Sequence, residues 1–189
     1  MRYKIEYLSK VTEKYFKEAK NCLKNKDYIA ALIMYGSVLE ALLLAMCFAY
    51  PNEVRETKTY KSIKNILKKR KKKRGIFLEF KLNNLIEIAK ELNWLPFEKQ
   101  IESIGIFENW VRWVQNSRNL VHPECWLKPD YYFGDIHEWM RKTPYKKYNK
   151  FVKLSDETIE VIRELLLKKI EDDIVRQLDK LKPRKRQKN

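Results

Sequence analysis

Ile29-Ala30-Ala31-Leu32-Ile33-Met34-Tyr35-Gly36-Ser37-Val38-Leu39-Glu40-Ala41-Leu42-Leu43-Leu44-Ala45-Met46-Cys47-Phe48-Ala49-Tyr50 is a run of 22 residues in which only Gly36, Ser37 and Glu40 are not apolar. Two structures suit such a run. It is long enough to span a bilayer, which takes about 20 apolar residues. It also has the composition of a helix buried on all sides at the centre of a soluble bundle. Glu40 sits mid-run, where a carboxylate costs about 2.5–3.5 kcal/mol on membrane insertion. Both flanks are rich in lysine, which gives no orientation bias. The sequence therefore favours the buried central helix, with no membrane partner.

Outward from this run the chain reads as further helices joined by short links. Val11, Tyr15, Ala19 and Leu23 recur at helical spacing over Val11–Leu23, and Asn25-Lys26-Asp27 supplies the turn and cap before the central helix. Pro51 is read as its end. Tyr60–Leu67 starts a third helix that runs into a lysine tract closed by Gly75. Leu78, Leu82, Leu85, Ile86, Ala89 and Leu92 form the stripe of a fourth, ending at Asn93, Trp94 and Pro96. A fifth is expected from near Phe97, with Ile104, Phe107, Val111 and Val114 on its apolar face. Ser155-Asp156-Glu157 is a helix start, an N-cap followed by two acids. From there Ile159, Ile162, Leu166, Ile170, Ile174, Leu178 and Leu181 form a long stripe. Only four glycines and six prolines leave few turns for hairpins. The expected fold is all-α, a bundle of five or six helices forming a single domain over residues 1–181. Residues 124–154 would be an insertion before the last helix, and 182–189 a basic tail.

The formal charge is +16, unevenly spread. Lys68, Lys69, Arg70, Lys71, Lys72, Lys73 and Arg74 are seven consecutive cations, and Lys182, Arg184, Lys185, Arg186 and Lys188 are five more. These two stretches carry twelve of the sixteen excess charges, leaving a body of about +4. The first tract is the candidate nucleic-acid-binding segment; its alternative is a solvated helix end or loop. Residues 124–154 interleave Trp126, Tyr131, Tyr132, Phe133, Trp139, Tyr145, Tyr148 and Phe151 with Lys128, Arg141, Lys142, Lys146, Lys147 and Lys150. Rings stack on bases while cations hold phosphates, a pattern suited to single-stranded RNA. Equally, the rings suit an insertion anchored back on the bundle.

Cys22, Cys47 and Cys125 are odd in number, and the first two lie in apolar helical patterns as small hydrophobes. His122, Cys125 and His137 match no usual zinc spacing. Neither a metal nor a cofactor is expected. Met1–Lys10 is polar and mixed, unlike a signal peptide, so the expected address is the cytosol. The lysine-, glutamate- and isoleucine-rich composition fits a heat-adapted prokaryotic source.

Arg118-Asn119-Leu120-Val121-His122-Pro123 carries the chemistry. Arg118 and His122 are four residues apart, on one face of a helix and about 6 Å apart along its axis. Pro123 puts His122 in the last turn, beside unpaired carbonyls that favour the protonated imidazole. A guanidinium and an imidazole so placed can grip and process a phosphodiester. The same residues also suit a purely structural role, His122 capping the helix and Arg118 ion-pairing.

Two stretches together resemble the HEPN domain family (higher eukaryotes and prokaryotes nucleotide-binding). One is Ala30-Ala31 leading into Gly36-Ser37-Val38-Leu39-Glu40-Ala41-Leu42, similar to the family's small-residue and Leu-Glu pattern. The other is Arg118-Asn119 through His122, similar to its arginine, polar residue, then histidine. They lie about 80 residues apart in the expected order, and the resemblance covers most of Lys10–Pro123 plus the last helix. It implies a helical bundle that dimerises with two motifs across the interface. It also implies metal-independent RNA cleavage of toxin or defence type, leaving cyclic-phosphate ends. On that resemblance the phosphate ligand is Arg118, the supporting polar group Asn119 and the acid/base His122. The family places four to six residues between arginine and histidine; here three intervene, and Gln115 stands at the six-residue offset. A second reading thus stays open, a non-catalytic module binding RNA, a nucleotide or a protein partner such as an antitoxin or a nucleotidyltransferase.

Two further expectations follow from the chemistry. Glu40 in an apolar helix needs a partner, with Arg118 or the Ser37 hydroxyl as candidates. A single imidazole per chain favours a homodimer, since cleavage benefits from an acid and a base near one phosphate.

Overall fold

In the computed structural model the protein is an all-α helical bundle. The structure describes residues 2–69, 76–98, 100–101, 105–108, 111–112, 114–115, 155–170 and 172–173. Helix α1 spans Arg2–Lys24 and α2 spans Tyr28–Ala49. Helix α3 is Pro51–Glu56 and α4 Lys58–Lys69. A 3-10 turn at Ile76–Glu79 precedes α5, Leu82–Glu91. Two-residue strands β1 (Gln100–Ile101) and β2 (Gly105–Ile106) pair antiparallel, with Gln100 opposite Ile106 and Ile101 opposite Gly105. Residues 107–108, 111–112 and 114–115 are helical, and α6 comprises residues 155–170, with 172 and 173 also helical.

The central run forms α2, packed chiefly on α1 and also against α3, α5 and the 3-10 turn. Its buried residues, among them Leu32, Tyr35, Leu39, Leu43 and Met46, join one core with Phe16 and Ala19 of α1, Leu85, Ile86 and Ala89 of α5, and Ile159 and Ile162 of α6. Burying one such side chain is worth about 1.5–3 kcal/mol, so this helix dominates the stability of the domain. It is not enclosed on every side, however. Ile33, Ser37, Glu40 and Leu44, three or four residues apart, are only partly buried, and Ile29 at the head of that row is 48% exposed. By length and apolarity alone α2 would also cross a membrane.

Local chemistry fixes the helix ends. At the end of α1, Lys26 takes a left-handed φ of 62°. Its N–H donates to the Leu23 carbonyl at 3.1 Å, and Asp27 N–H to Cys22 at 2.9 Å. This is a Schellman closure with lysine where glycine is usual. Asp27 then caps α2, its Oδ1 accepting from Ala30 N–H at 3.3 Å. The same closure ends α5. Asn93 has φ 50°, its N–H donates to Lys90, and Trp94 N–H donates to Ala89 at 2.9 Å. Asparagine tolerates that conformation better than most residues. Burial of Trp94 supplies the apolar contact that accompanies such ends.

Three sequence expectations need correction, and Pro51 gains a second role. The buried face of α1 runs through Thr12, Phe16 and Ala19, while Val11, Tyr15 and Leu23 are only partly buried. Threonine can take the core position because its hydroxyl donates to Leu8 O within the helix, at 2.8 Å. Pro51 both ends α2 and opens α3, at the first-turn position where a missing N–H costs nothing. Leu78 lies in the 3-10 turn, 58% exposed, because the chain breaks at Phe80-Lys81 before α5 begins. Asn84 Oδ1 caps that start by accepting from Lys81 N–H at 3.0 Å. The fifth helical stretch begins near Phe107 rather than Phe97. Phe97 is buried in a turn whose carbonyl accepts from Glu108 N–H at 3.2 Å.

Candidate nucleic-acid interface

Arg118, Asn119 and His122 lie outside the described residues, as do Arg70, Lys71, Lys72, Lys73 and Arg74. The helical residues before the motif are described, and their anchorage is specific. Phe107, Val111 and Val114 are buried in the common core. On the same stretch Glu108 accepts from Lys90 Nζ of α5 and from Arg112 Nε at 2.9 Å. Arg112 also reaches Glu87 at 3.7 Å. The Lys90 ammonium, with Arg112 adding to it against partial burial, holds the Glu108 carboxyl below its ordinary range. Gln115 Nε2 donates to Asn83 Oδ1 at 3.3 Å. Arg112 and Gln115 thus serve to seat this stretch on α5.

Glu40 is half-buried on the partly open face of α2. The Ser37 hydroxyl is not its partner, because Ser37 Oγ donates to the Ile33 carbonyl one turn back, at 3.0 Å. A hydroxyl can satisfy itself inside its own helix in this way. The alternative pairing of Glu40 with Arg118 falls outside the described residues.

Of the lysine tract, Lys68 is exposed near the end of α4 and Lys69 is its last residue. The N-terminus of that helix is held by a carboxylate from α5. Glu91 accepts from Lys58 N–H at 2.6 Å and from the Thr59 N–H and hydroxyl at 3.0 and 2.6 Å. Thr57 Oγ1 accepts from Tyr60 N–H at 3.2 Å, completing the cap. Partial burial pushes the Glu91 carboxyl up, but the Thr59 and Lys58 donors outweigh it and hold the group below its ordinary value. Exposed Lys61, Lys64 and Lys68 lie on one side of α4 and lead toward the tract. Lys61 pairs with Glu56 at 3.0 Å; Lys64 and Lys68 have no ion pair among the described residues.

A second set of cations does not show as a charge run, because no two of them are adjacent in sequence. Lys10, Lys14, Lys17, Asn21 and Lys24 recur every three or four residues along α1, and all are exposed.

Comparison with family models, characterised proteins and solved structures finds no match.

Cys22 and Cys47 carry no site among the described residues. Cys47 is fully buried, which pushes its thiol up to about 12. Cys22 is also raised, by burial first and then by the Asp27 and Glu18 carboxylates. Both sit as small apolar side chains. No group of three His, Cys, Asp or Glu suited to a metal occurs among the described residues; His122, Cys125 and His137 lie outside them.

Proposed function

We propose that the chain is a HEPN-like protein that acts on RNA in the cytosol, as a metal-independent endoribonuclease of toxin or defence type. The observation that carries this reading is a pairing of sequence elements on an all-α bundle. The Gly36–Leu42 segment lies on the central helix, and Arg118-Asn119 and His122 follow helical residues whose Phe107, Val111 and Val114 are buried in the same core.

In this reading neutral His122 takes the proton of a 2′-hydroxyl as that oxygen bonds to phosphorus. The bond from phosphorus to the 5′-oxygen breaks, and the departing oxygen receives a proton from a second imidazole. A homodimer supplies that group as the partner subunit's His122. Arg118 holds the phosphate oxygens with charge-assisted hydrogen bonds, and Asn119 supports them. The products are a 2′,3′-cyclic phosphate and a 5′-hydroxyl.

The three-residue gap between Arg118 and His122 favours a second reading. In it the same bundle binds RNA, or a protein partner such as an antitoxin or nucleotidyltransferase, without cutting. Incubation of the protein with structured RNA in EDTA separates the two. Cleavage to cyclic-phosphate ends, lost in both Arg118→Ala and His122→Ala, supports the nuclease. RNA that is bound but intact, or cut only with a divalent metal, removes it.

A further inference from the structure

We propose that the exposed face of α1 carrying Lys10, Lys14, Lys17, Asn21 and Lys24 is a docking track for the phosphate backbone of single-stranded RNA, an inference that rests on the RNA-binding reading and adds a surface remote in sequence from Arg118 and His122. The residues recur at offsets of four, three, four and three, which keeps them on one side of a helix of 3.6 residues per turn. Lys10 to Lys24 covers about 21 Å of the axis. A stacked strand offers a phosphate about every 3.4 Å of its length, so the track runs beside roughly six phosphates.

The neighbouring cation shows that these charges are left over. Lys20, on the side of α1 facing α6, is neutralised by Glu160 at 2.7 Å and Asp156 at 3.9 Å. Lys10, Lys14, Lys17 and Lys24 make no such pair among the described residues. Of the flanking acids, Glu13 reaches toward Arg163 of α6 at 4.0 Å. Glu18 lies off the stripe on its other flank, and Glu6, one turn before Lys10, closes the track at its N-terminal end.

Other occupants fit less well. A helix lying on a membrane needs an apolar face turned to the lipid, whereas α1 turns Phe16 and Ala19 into the core. A protein partner draws its affinity from buried aromatic and aliphatic anchors, and the stripe has none between Lys10 and Lys24. A phosphate backbone needs only spaced cations and an amide donor, which this face supplies.

The test is the salt dependence of binding to a labelled single-stranded RNA, with helicity monitored by circular dichroism. Replacing all four lysines (Lys10→Gln, Lys14→Gln, Lys17→Gln, Lys24→Gln) removes four phosphate contacts and makes the slope of log K against log salt shallower by about 2.8. Between 50 and 200 mM salt these contacts account for roughly 50-fold of the affinity. A charge exchange, Lys14→Glu with Glu18→Lys, keeps the net charge, breaks the track and also weakens binding. An unchanged slope in the fourfold variant overturns the proposal while leaving the RNA reading intact. So does full affinity in the charge exchange, which would reduce the effect to net charge. Loss of binding to anionic phosphatidylserine vesicles with RNA affinity unchanged overturns it in favour of a membrane surface. Wild-type protein that binds no RNA removes both the proposal and the reading beneath it.

Discussion

The buried phenol of Tyr35 donates to Asp156 Oδ1 at 2.9 Å, joining α2 to α6 across 121 residues of sequence. The bond sits under Phe16, whose ring meets Tyr35 edge-on at 6.2 Å. Lys20 stands over that ring at 4.4 Å. A second bond of the same kind joins Tyr50 to Asp173 Oδ2 at 2.8 Å. From Tyr35 to Tyr50 is about 22 Å along a helix, and from Asp156 to Asp173 about 26 Å. The two bonds advance in the same direction along both segments, so α6 runs parallel to α2 and is tied to it at two points.

Burial first, then the Asp156 carboxylate, pushes the Tyr35 phenol far above its ordinary value, so it stays a donor at any working pH. Tyr35→Phe keeps the ring packing and removes the bond, at a cost of about 1–2 kcal/mol. For a domain of this size that lowers Tm by roughly 2–6 °C. Tyr35→Phe combined with Asp156→Ala should cost less than the sum of the two single changes, since each removes the same bond. Thermal melts of the three variants check this; strict additivity would mean that the bond does not stabilise the fold.

The central helix has a closed side and a partly open one, and substitutions should separate them. Leu39 and Leu43 are fully buried. Leu39→Ala leaves a cavity and should cost about 2–5 kcal/mol, enough to unfold a marginal domain. Ile29→Ala, at an exposed position, should cost within about 0.5 kcal/mol. Urea titration of the two variants measures the contrast. Equal losses would show that the Ile29 row is covered in solution.

Much of the fold was legible because it is decided locally. Asp27 as a cap and Asn93 as a helix end each follow from one or two side chains acting on the nearest backbone. Register was harder. Ala19 belongs to both candidate stripes of α1, and the choice between Val11–Tyr15 and Thr12–Phe16 turned on a threonine satisfying its hydroxyl inside the helix. Residue type alone favours valine in the core, so the pattern pointed one position away. Pro51 was legible as a stop but not as a start, because the same residue serves both. At the site, the Arg118–His122 spacing is visible in sequence while the partner of Glu40 is not, since helical spacing alone does not say which element packs beside a carboxylate. The α1 track sits between these cases, local in its spacing but meaningful only once Lys20 is seen to be neutralised and its neighbours are not.

Cys47 offers a chemical probe of the core. Its thiol is pushed up to about 12 by burial, and the thiolate is the reactive form. Iodoacetamide near neutral pH should therefore leave Cys47 unmodified in the folded protein and label it fully in urea. Peptide mass mapping distinguishes the sites. Labelling of Cys47 under native conditions, at a rate matching an unfolded control, would mean that the centre of the bundle opens readily.

The two depressed carboxylates set the expected response to acid. In the folded protein Glu91 and Glu108 are held below the ordinary value of about 4.3, Glu91 by the Thr59 and Lys58 donors prevailing over its partial burial, Glu108 by Lys90 and Arg112. A group whose folded pKa is lowered contributes stability that is present above its unfolded value and is lost as pH falls through the folded one. The loss should therefore begin below about pH 4.5 rather than near neutrality. It should appear as a falling Tm and a loosening of α4 and of the 107–115 stretch from α5. Glu91→Gln keeps the shape of the side chain but not its charge, so its Tm should be lower than wild type at neutral pH and nearly equal to it in strong acid. Melts of wild type and Glu91→Gln between about pH 7 and pH 2.5 test this. A constant difference across that range would show that the carboxylate charge adds nothing to the cap of α4.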